Sequence, residues 1–205
     1  MMDQKTESPL LVLGSGSATR ARILQAAGVP FSIKSPKLDE RTVFARLVNA
    51  GVDVTAGALE LAELKALEVG RSLPKTIVVS ADQILECEGV WFQKASDLVQ
   101  ARANLERLSD RKHRLISAIA VAHAGDIIWR YADQAVLSMR RLSPTFLNAY
   151  FETVGDSALD WAGGYQIESI GAQLFNGIEG DYTTVLGLPL IPLLGFLRTQ
   201  GILEC

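Results

Sequence analysis

Arg114-Leu-Ile-Ser-Ala-Ile-Ala-Val-Ala-His123 and Ile127-Ile-Trp-Arg-Tyr-Ala-Asp-Gln-Ala-Val-Leu-Ser-Met139 decide the fold class. Both runs are rich in apolar and β-branched residues, and the turn residues Gly125-Asp126 lie between them. They read as two long strands of one hairpin. A regular βαβ series has no place for such a hairpin. The chain therefore reads as one α/β unit with long mixed or antiparallel strands.

Outward from the hairpin, helices and strands alternate. Ser96–Leu108 is amphipathic and predicts a helix before the hairpin. Ser143 predicts a cap, with Pro144 at the first position of a helix after it. Further upstream, Ile84–Leu85 and Val90–Phe92 flank Glu88-Gly89 and predict a second hairpin. Thr76–Ser80 is a β-branched strand. Val54–Val69 is a helix with Leu61, Ala62 and Leu64 on its buried side and Gly70 as its stop. Phe31–Lys34 is a short strand ended by Pro36, and Leu10–Gly14 a buried one. Thr19 or Ser17 caps a helix that carries Ile23 and Leu24 and stops at Gly28. Towards the C-terminus, Tyr165–Phe175 reads as a glycine-interrupted strand. Leu188–Arg198 reads as a helix that starts at Pro189.

Composition narrows the function. The 205 residues are 48% apolar and 21% charged, which excludes a disordered chain. Folding a chain of this size buries about 70% of its surface, enough for one sizeable core. A net charge of −3 lacks the basic footprint of a nucleic-acid binder. Two cysteines, Cys87 and Cys205, exclude a disulfide framework and a cysteine zinc site. Met1–Pro9 has no apolar run of the secretory kind. Gly187–Leu197 is too short, and too broken by Pro189 and Pro192, to span a bilayer. The expectation is a cytoplasmic protein that does not engage membranes, with a flexible segment at 1–9 and a single domain over 10–205.

Four places can carry chemistry. Gly14-Ser-Gly-Ser-Ala-Thr-Arg20 follows a strand and opens a helix, so its N–H groups and Arg20 can cradle an anion. It lacks the Gly-Lys-Ser/Thr of a Walker loop and the third glycine of a dinucleotide fingerprint. Asp82, in Ser80-Ala-Asp-Gln83, sits at the expected carboxyl end of a strand, where clefts open. Asp39-Glu40 follows Pro36 in an expected loop, and two carboxylates brought together can hold Mg²⁺. Lys65 and Lys94 can meet phosphate. Each feature also has an ordinary reading: a capped turn, a turn aspartate, a solvated loop, two snorkelling lysines. His113 and His123 are isolated and form no His-x-x-x-His pair, which disfavours histidine metal ligation.

Taken in order, these motifs resemble one family. Beside them stand Gln93-Lys94, Leu108-Ser-Asp-Arg, Trp161-Ala-Gly-Gly-Tyr-Gln-Ile-Glu, Ile178-Glu-Gly-Asp-Tyr and Val185-Leu-Gly-Leu-Pro-Leu. The set, from Leu10 to about Arg198, is similar to the Maf (septum-formation-inhibitor-like) nucleotide pyrophosphatases. The resemblance implies an elongated, two-lobed α/β (α+β) fold like that of inosine triphosphate pyrophosphatases, with a mixed sheet and a central cleft. It implies hydrolysis of nucleoside triphosphates to a monophosphate and pyrophosphate, a divalent cation (Mg²⁺ or Mn²⁺), and a homodimer. Asp82 becomes the base or a metal ligand, with Glu40 beside it and Lys65 in the catalytic set. Ser15, Gly16, Ser17, Arg20, Lys94 and Gln166 become substrate contacts.

Several positions depart from the family pattern. The family loop reads Ser-x-Ser-Pro-Arg-Arg, and here the proline and the first arginine are missing. Gly-Lys-Pro has become Gln93-Lys94-Ala95. Gln83 resembles the branch acting on 7-methyl-GTP, whereas Ala162–Glu168 resembles the dTTP/UTP branch. Two other classes stay open on sequence: a non-catalytic nucleotide-binding regulator of cell division, and a dinucleotide oxidoreductase.

Overall fold

A computed structural model describes residues 11–204. The expected segment 1–9, Leu10 and Cys205 lie outside the described residues. The chain divides into two compact units, neither contiguous in sequence. The first comprises residues through Asp82, Ala118–Ala132 and the stretch from Gly187; the second comprises Gln83–Ser117 and Asp133–Leu186.

In the first unit β1 (Leu11–Leu13) is fully buried and parallel to both neighbours. Val12 pairs with Ser32 of β2 (Ser32–Ile33) on one side and with Val78 of β3 (Ile77–Cys87) on the other. Helix α1 (Ala18–Ala26) starts where Ser17 Oγ accepts the Arg20 N–H, and the chain turns out of it at Gly28, φ +69°. Helix α2 (Glu40–Asn49) replaces the loop expected at Asp39-Glu40, because the Asp39 carboxylate accepts the Thr42 N–H and caps it. Helix α3 (Val54–Gly70) is capped by Asp53 and buries nine residues, among them Leu61, Ala62, Lys65 and Val69. Val69 packs with Val12 and Val78, so the helix covers β1 and β3.

The second unit opens with the rest of β3, which turns at Glu88-Gly89 into antiparallel β4 (Val90–Phe92), with Leu85 opposite Phe92. Positive φ at Glu88 and Gly89, +52° and +81°, is what a two-residue hairpin turn requires. Helix α4 (Leu98–Leu108), capped by Asp97, precedes β5 (Lys112–His123) and β6 (Asp126–Met139), whose hairpin end, Ala118–Ala132, belongs to the first unit. The hairpin that decides the fold class is present; its turn falls on Ala124-Gly125, one residue earlier than expected. Ser143 and Pro144 open α5 (Pro144–Val154) as expected. The strand expected over Tyr165–Phe175 is absent. Turns and a short 3₁₀ segment (Ile170–Leu174) stand there, and β7 (Phe175–Glu179) follows, antiparallel to β6 with Leu137 opposite Ile178. Gly163 and Gly164, at φ +78° and +81°, cannot continue a strand. A short α6 (Tyr182–Val185) follows. In the first unit again, α7 (Leu190–Thr199) begins after Pro189 as expected. The strand order is β2-β1-β3-β5-β6-β7, with β4 on β3, so the sheet is mixed. Among the described residues no helix is long and apolar enough to cross a membrane.

The second unit's core holds an ionisable group. His113 is 1% exposed, its Nε2 lies 2.7 Å from the Tyr165 hydroxyl, and its Nδ1 has no partner among the described residues. Burial pushes the imidazole down from 6.5 to about 4. Between those values the unfolded chain binds a proton that the folded chain does not. Stability is therefore present in full above pH 6.5 and is lost as pH falls towards 4, by up to about 3 kcal/mol. Urea midpoints measured from pH 7 to pH 4 should fall more steeply for the wild type than for His113→Gln.

Candidate active site

Side chains from α2, α3 and β3 of the first unit meet at one ammonium group. Lys65 projects from the buried side of α3 and is 5% exposed. Its Nζ lies 2.5 Å from Asp82 Oδ1 and 2.8 Å from Glu40 Oε2. The snorkelling reading of Lys65 fails because its ammonium turns to Asp82 inside and to Glu40 at the rim rather than to solvent. Asp82 is not at a strand end: it lies within the continuous strand β3, and its side chain is 10% exposed. Glu40 comes from the first turn of α2 and stays half-exposed, at 51%.

The loop after β1 closes over the same place. Gly14 N–H donates to Val79 O at 2.8 Å, and Ser80 Oγ donates to Gly14 O at 2.9 Å. A Cβ on Gly14 would stand 2.3 Å from Ser80 Oγ and 3.1 Å from Val78 Cγ1, so only glycine fits this approach. Buried Ser15 accepts from Ser17 N–H at 3.2 Å and from Arg20 Nη1 at 3.2 Å. Arg20 also donates through Nη1 to Ala81 O at 2.7 Å and through Nε to Gly187 O at 2.8 Å. The guanidinium thus ties the loop to β3 directly beside Asp82. Gly16, at the exposed crest of the loop, and Ser17, the α1 cap, complete it.

Two cations and two anions balance in this cluster. Burial raises the Asp82 carboxyl above its ordinary range; the charges of Lys65 and Arg20 and the Lys65 hydrogen bond oppose that, and Glu40 adds to it. Burial lowers the Arg20 guanidinium, against the pull of Asp82 and Glu40. A buried carboxyl with a raised proton affinity, set beside two cations, is poised to accept a proton or a cation.

The remaining expected contacts lie in the second unit. Lys94 is exposed and forms an isolated backbone bridge with Ala162. Gln166 is half-buried, and its Nε2 donates to Glu168 at 3.2 Å. Sequence reasoning quoted Ser80 and Gln83 but gave Ser80 no role and read Gln83 only as a branch marker. The same-face spacing of Ser80 and Asp82 along one strand is the signal that pairs Ser80 with the site.

Residues 10–200 match the family model described as Maf-like protein. The chain belongs to the Maf-like family. A relative named nucleoside triphosphate pyrophosphatase, from Paramagnetospirillum magneticum, is 41% identical over 190 residues, covering 93% of this chain and 98% of the relative. A relative named 7-methyl-GTP pyrophosphatase, from Rhizobium johnstonii, is 41% identical over 197 residues, covering 96% and 99%. Another of that name, from Brucella abortus, is 41% identical over 194 residues, covering 95% and 98%. A solved dITP/XTP pyrophosphatase from Mycobacterium abscessus aligns with a TM-score of 0.41 and 20% identity over 64% of this chain and 74% of that one, too distant to argue from. Within this Maf-like chain, the Asp82–Lys65–Glu40 cluster and the Gly14–Arg20 loop are the residues that the sequence motifs single out.

Proposed function

We propose that this Maf-like chain hydrolyses nucleoside triphosphates between the α and β phosphates. The observation that carries the reading is the meeting of Asp82, Lys65 and Glu40 beside a glycine-tight loop and Arg20. Water adds to the α-phosphorus, its proton passes to the Asp82 carboxylate, and the α–β bridging bond breaks. The products are a nucleoside monophosphate and pyrophosphate. Lys65 favours the ionised form of Asp82 against burial, and the loop N–H groups and Arg20 orient phosphate oxygens.

The donor set suits a hard divalent cation. Asp82 and Glu40 both present oxygens to one point, where Lys65 now stands. Among the described residues no cluster of three or more His, Cys, Asp or Glu could hold a metal. Two carboxylates, with substrate phosphates and water as the other ligands, match the way Mg²⁺ binds in phosphoryl-transfer sites. When bound, the cation would neutralise charge on the phosphates.

The test is pyrophosphate release from 7-methyl-GTP, UTP, dTTP and inosine triphosphate. The panel spans both names that the relatives carry at 41% identity. Release is expected with Mg²⁺ or Mn²⁺, to be lost with EDTA and restored by added metal. Binding without release from any nucleotide would overturn the enzymatic reading in favour of a nucleotide-binding regulator.

A further inference from the structure

The first half of β6 is an edge strand. In the strand order β6 lies between β5 and β7, but β7 pairs with Val136–Met139, at the far end. Among the described residues no strand pairs with the outer side of Asp126–Ala132, a stretch wholly within the first unit. Exposure agrees: none of Asp126–Ala132 is buried, whereas every residue of Leu115–Ala122 in neighbouring β5 is. An open edge presents a row of N–H and C=O groups to any extended chain, and proteins commonly blunt it with proline or lysine. Asp126-Ile-Ile-Trp-Arg-Tyr-Ala132 has neither, and it is rich in β-branched and aromatic residues.

This edge is braced on both faces. On one, the Trp129 and Tyr131 rings stack 5.9 Å apart at 5°, and Trp129 stacks on Phe196 of α7 at 4.9 Å and 16°. On the other, Arg130 Nη1 donates to Glu63 of α3 at 2.8 Å. Pairing with another strand would therefore order little that is not ordered already.

The charges single out the occupant. A second copy related by a two-fold axis meets the edge antiparallel. Residues directly opposite each other must then share a face, which places one residue on the axis, opposite its own copy. With Ile128 on the axis, Ile127 faces Trp129 and Asp126 faces Arg130, each twice in the dimer. Moving the axis to Ile127 or Trp129 puts Ala124 or Ile128 opposite Arg130, and moving it to Arg130 sets that cation against itself. The Ile128 register alone pairs opposite charges and sets a β-branched residue against an aromatic one.

We propose that this chain forms a two-fold dimer through antiparallel pairing of its β6 edges, centred on Ile128 and fixed by the two Asp126–Arg130 pairs. The partner is a second copy, and the pyrophosphatase reading does not enter the argument.

The experiment is sedimentation equilibrium of the full chain without nucleotide. A dimer with Kd on the order of 10 µM is expected, the weak end that suits a small interface, and it should weaken as salt rises. Asp126→Arg and Arg130→Asp each set like charges opposite one another, and each should raise Kd at least about tenfold. The double variant restores opposite signs and should return Kd to within about threefold of the wild type. Circular dichroism checks that each variant is folded, since Arg130→Asp also faces Glu63. A second measurement avoids that contact. In a Cys205→Ser background, where the remaining Cys87 is buried, Ile128→Cys should give a disulfide-linked dimer under diamide, and Ala132→Cys should not. A chain that stays monomeric up to about 200 µM overturns the proposal and leaves the edge to a different partner. A dimer indifferent to both charge reversals overturns it too, as does a folded double variant no tighter than the single ones, or cross-linking through Ala132→Cys rather than Ile128→Cys.

Discussion

Asp82→Asn is expected to lower kcat for pyrophosphate release by at least about 100-fold, the lower end of what a positioned general base contributes. The substitution keeps the shape of the side chain and removes its charge. Lys65 is not stranded by it, because Glu40 Oε2 still lies 2.8 Å from the ammonium. The new amide oxygen can also accept from Lys65. Breaking a buried ion pair outright costs about 3–5 kcal/mol; with a second carboxylate in place the cost should stay nearer 1 kcal/mol. The check is a pair of measurements, turnover and urea unfolding. Wild-type-like turnover by a folded Asp82→Asn would remove the role assigned to Asp82.

Lys65→Met is expected to damage both quantities. It withdraws the cation that lies between two carboxylates, with Asp82 inside and Glu40 at the surface. Arg20 remains near Asp82, but its Nε and Nη1 donors are committed to Ser15, Ala81 and Gly187. Lys65 is the largest influence opposing the upward push that burial exerts on the Asp82 carboxyl. Without it that carboxyl moves further up, and a smaller fraction is ionised at a given pH. The acid limb of kcat should therefore shift to higher pH as kcat falls. Uptake of a proton by Asp82 also caps the stability loss below the about 3–5 kcal/mol of an uncompensated buried charge. A Lys65→Met enzyme with the wild-type pH profile would show that Lys65 does not govern Asp82.

The parts of the fold that the sequence disclosed are those whose signal is local. The hairpin of β5 and β6, the Ser143-Pro144 start and the Gly28 stop announce themselves within a few residues. Helix α2 stayed hidden because it fully buries only Leu47, although Val43, Phe44 and Leu47 recur at helical spacing on its inner side. Asp39, its cap, suits a loop after Pro36 equally well. Strand β3 was cut short at Ser80 because Ser80 and Asp82 are polar and buried. Their partners, Gly14 O and Lys65 Nζ, come from elsewhere in the chain, and no window of β3 contains them. Lys65 looks like a surface lysine for the same reason: its burial is explained by Asp82 and Glu40, which lie elsewhere in the chain. Residues 165–175 carry strand-like apolar content, yet Gly163 and Gly164 turn the backbone away and Tyr165, Ile167 and Ile170 fill a core without pairing.

The discontinuous make-up of the first unit has a consequence for biosynthesis. Gly187 O, one of the acceptors that hold Arg20, is 167 residues further along the chain. As the polypeptide emerges from the ribosome, the loop and its arginine must wait for almost the whole remainder to be translated before this clamp can close. Strands β1 to β3 can pair early, but the buried charges near them acquire their last tether late. Nascent chains stalled before Gly187 should expose that neighbourhood to protease, and full-length release should protect it.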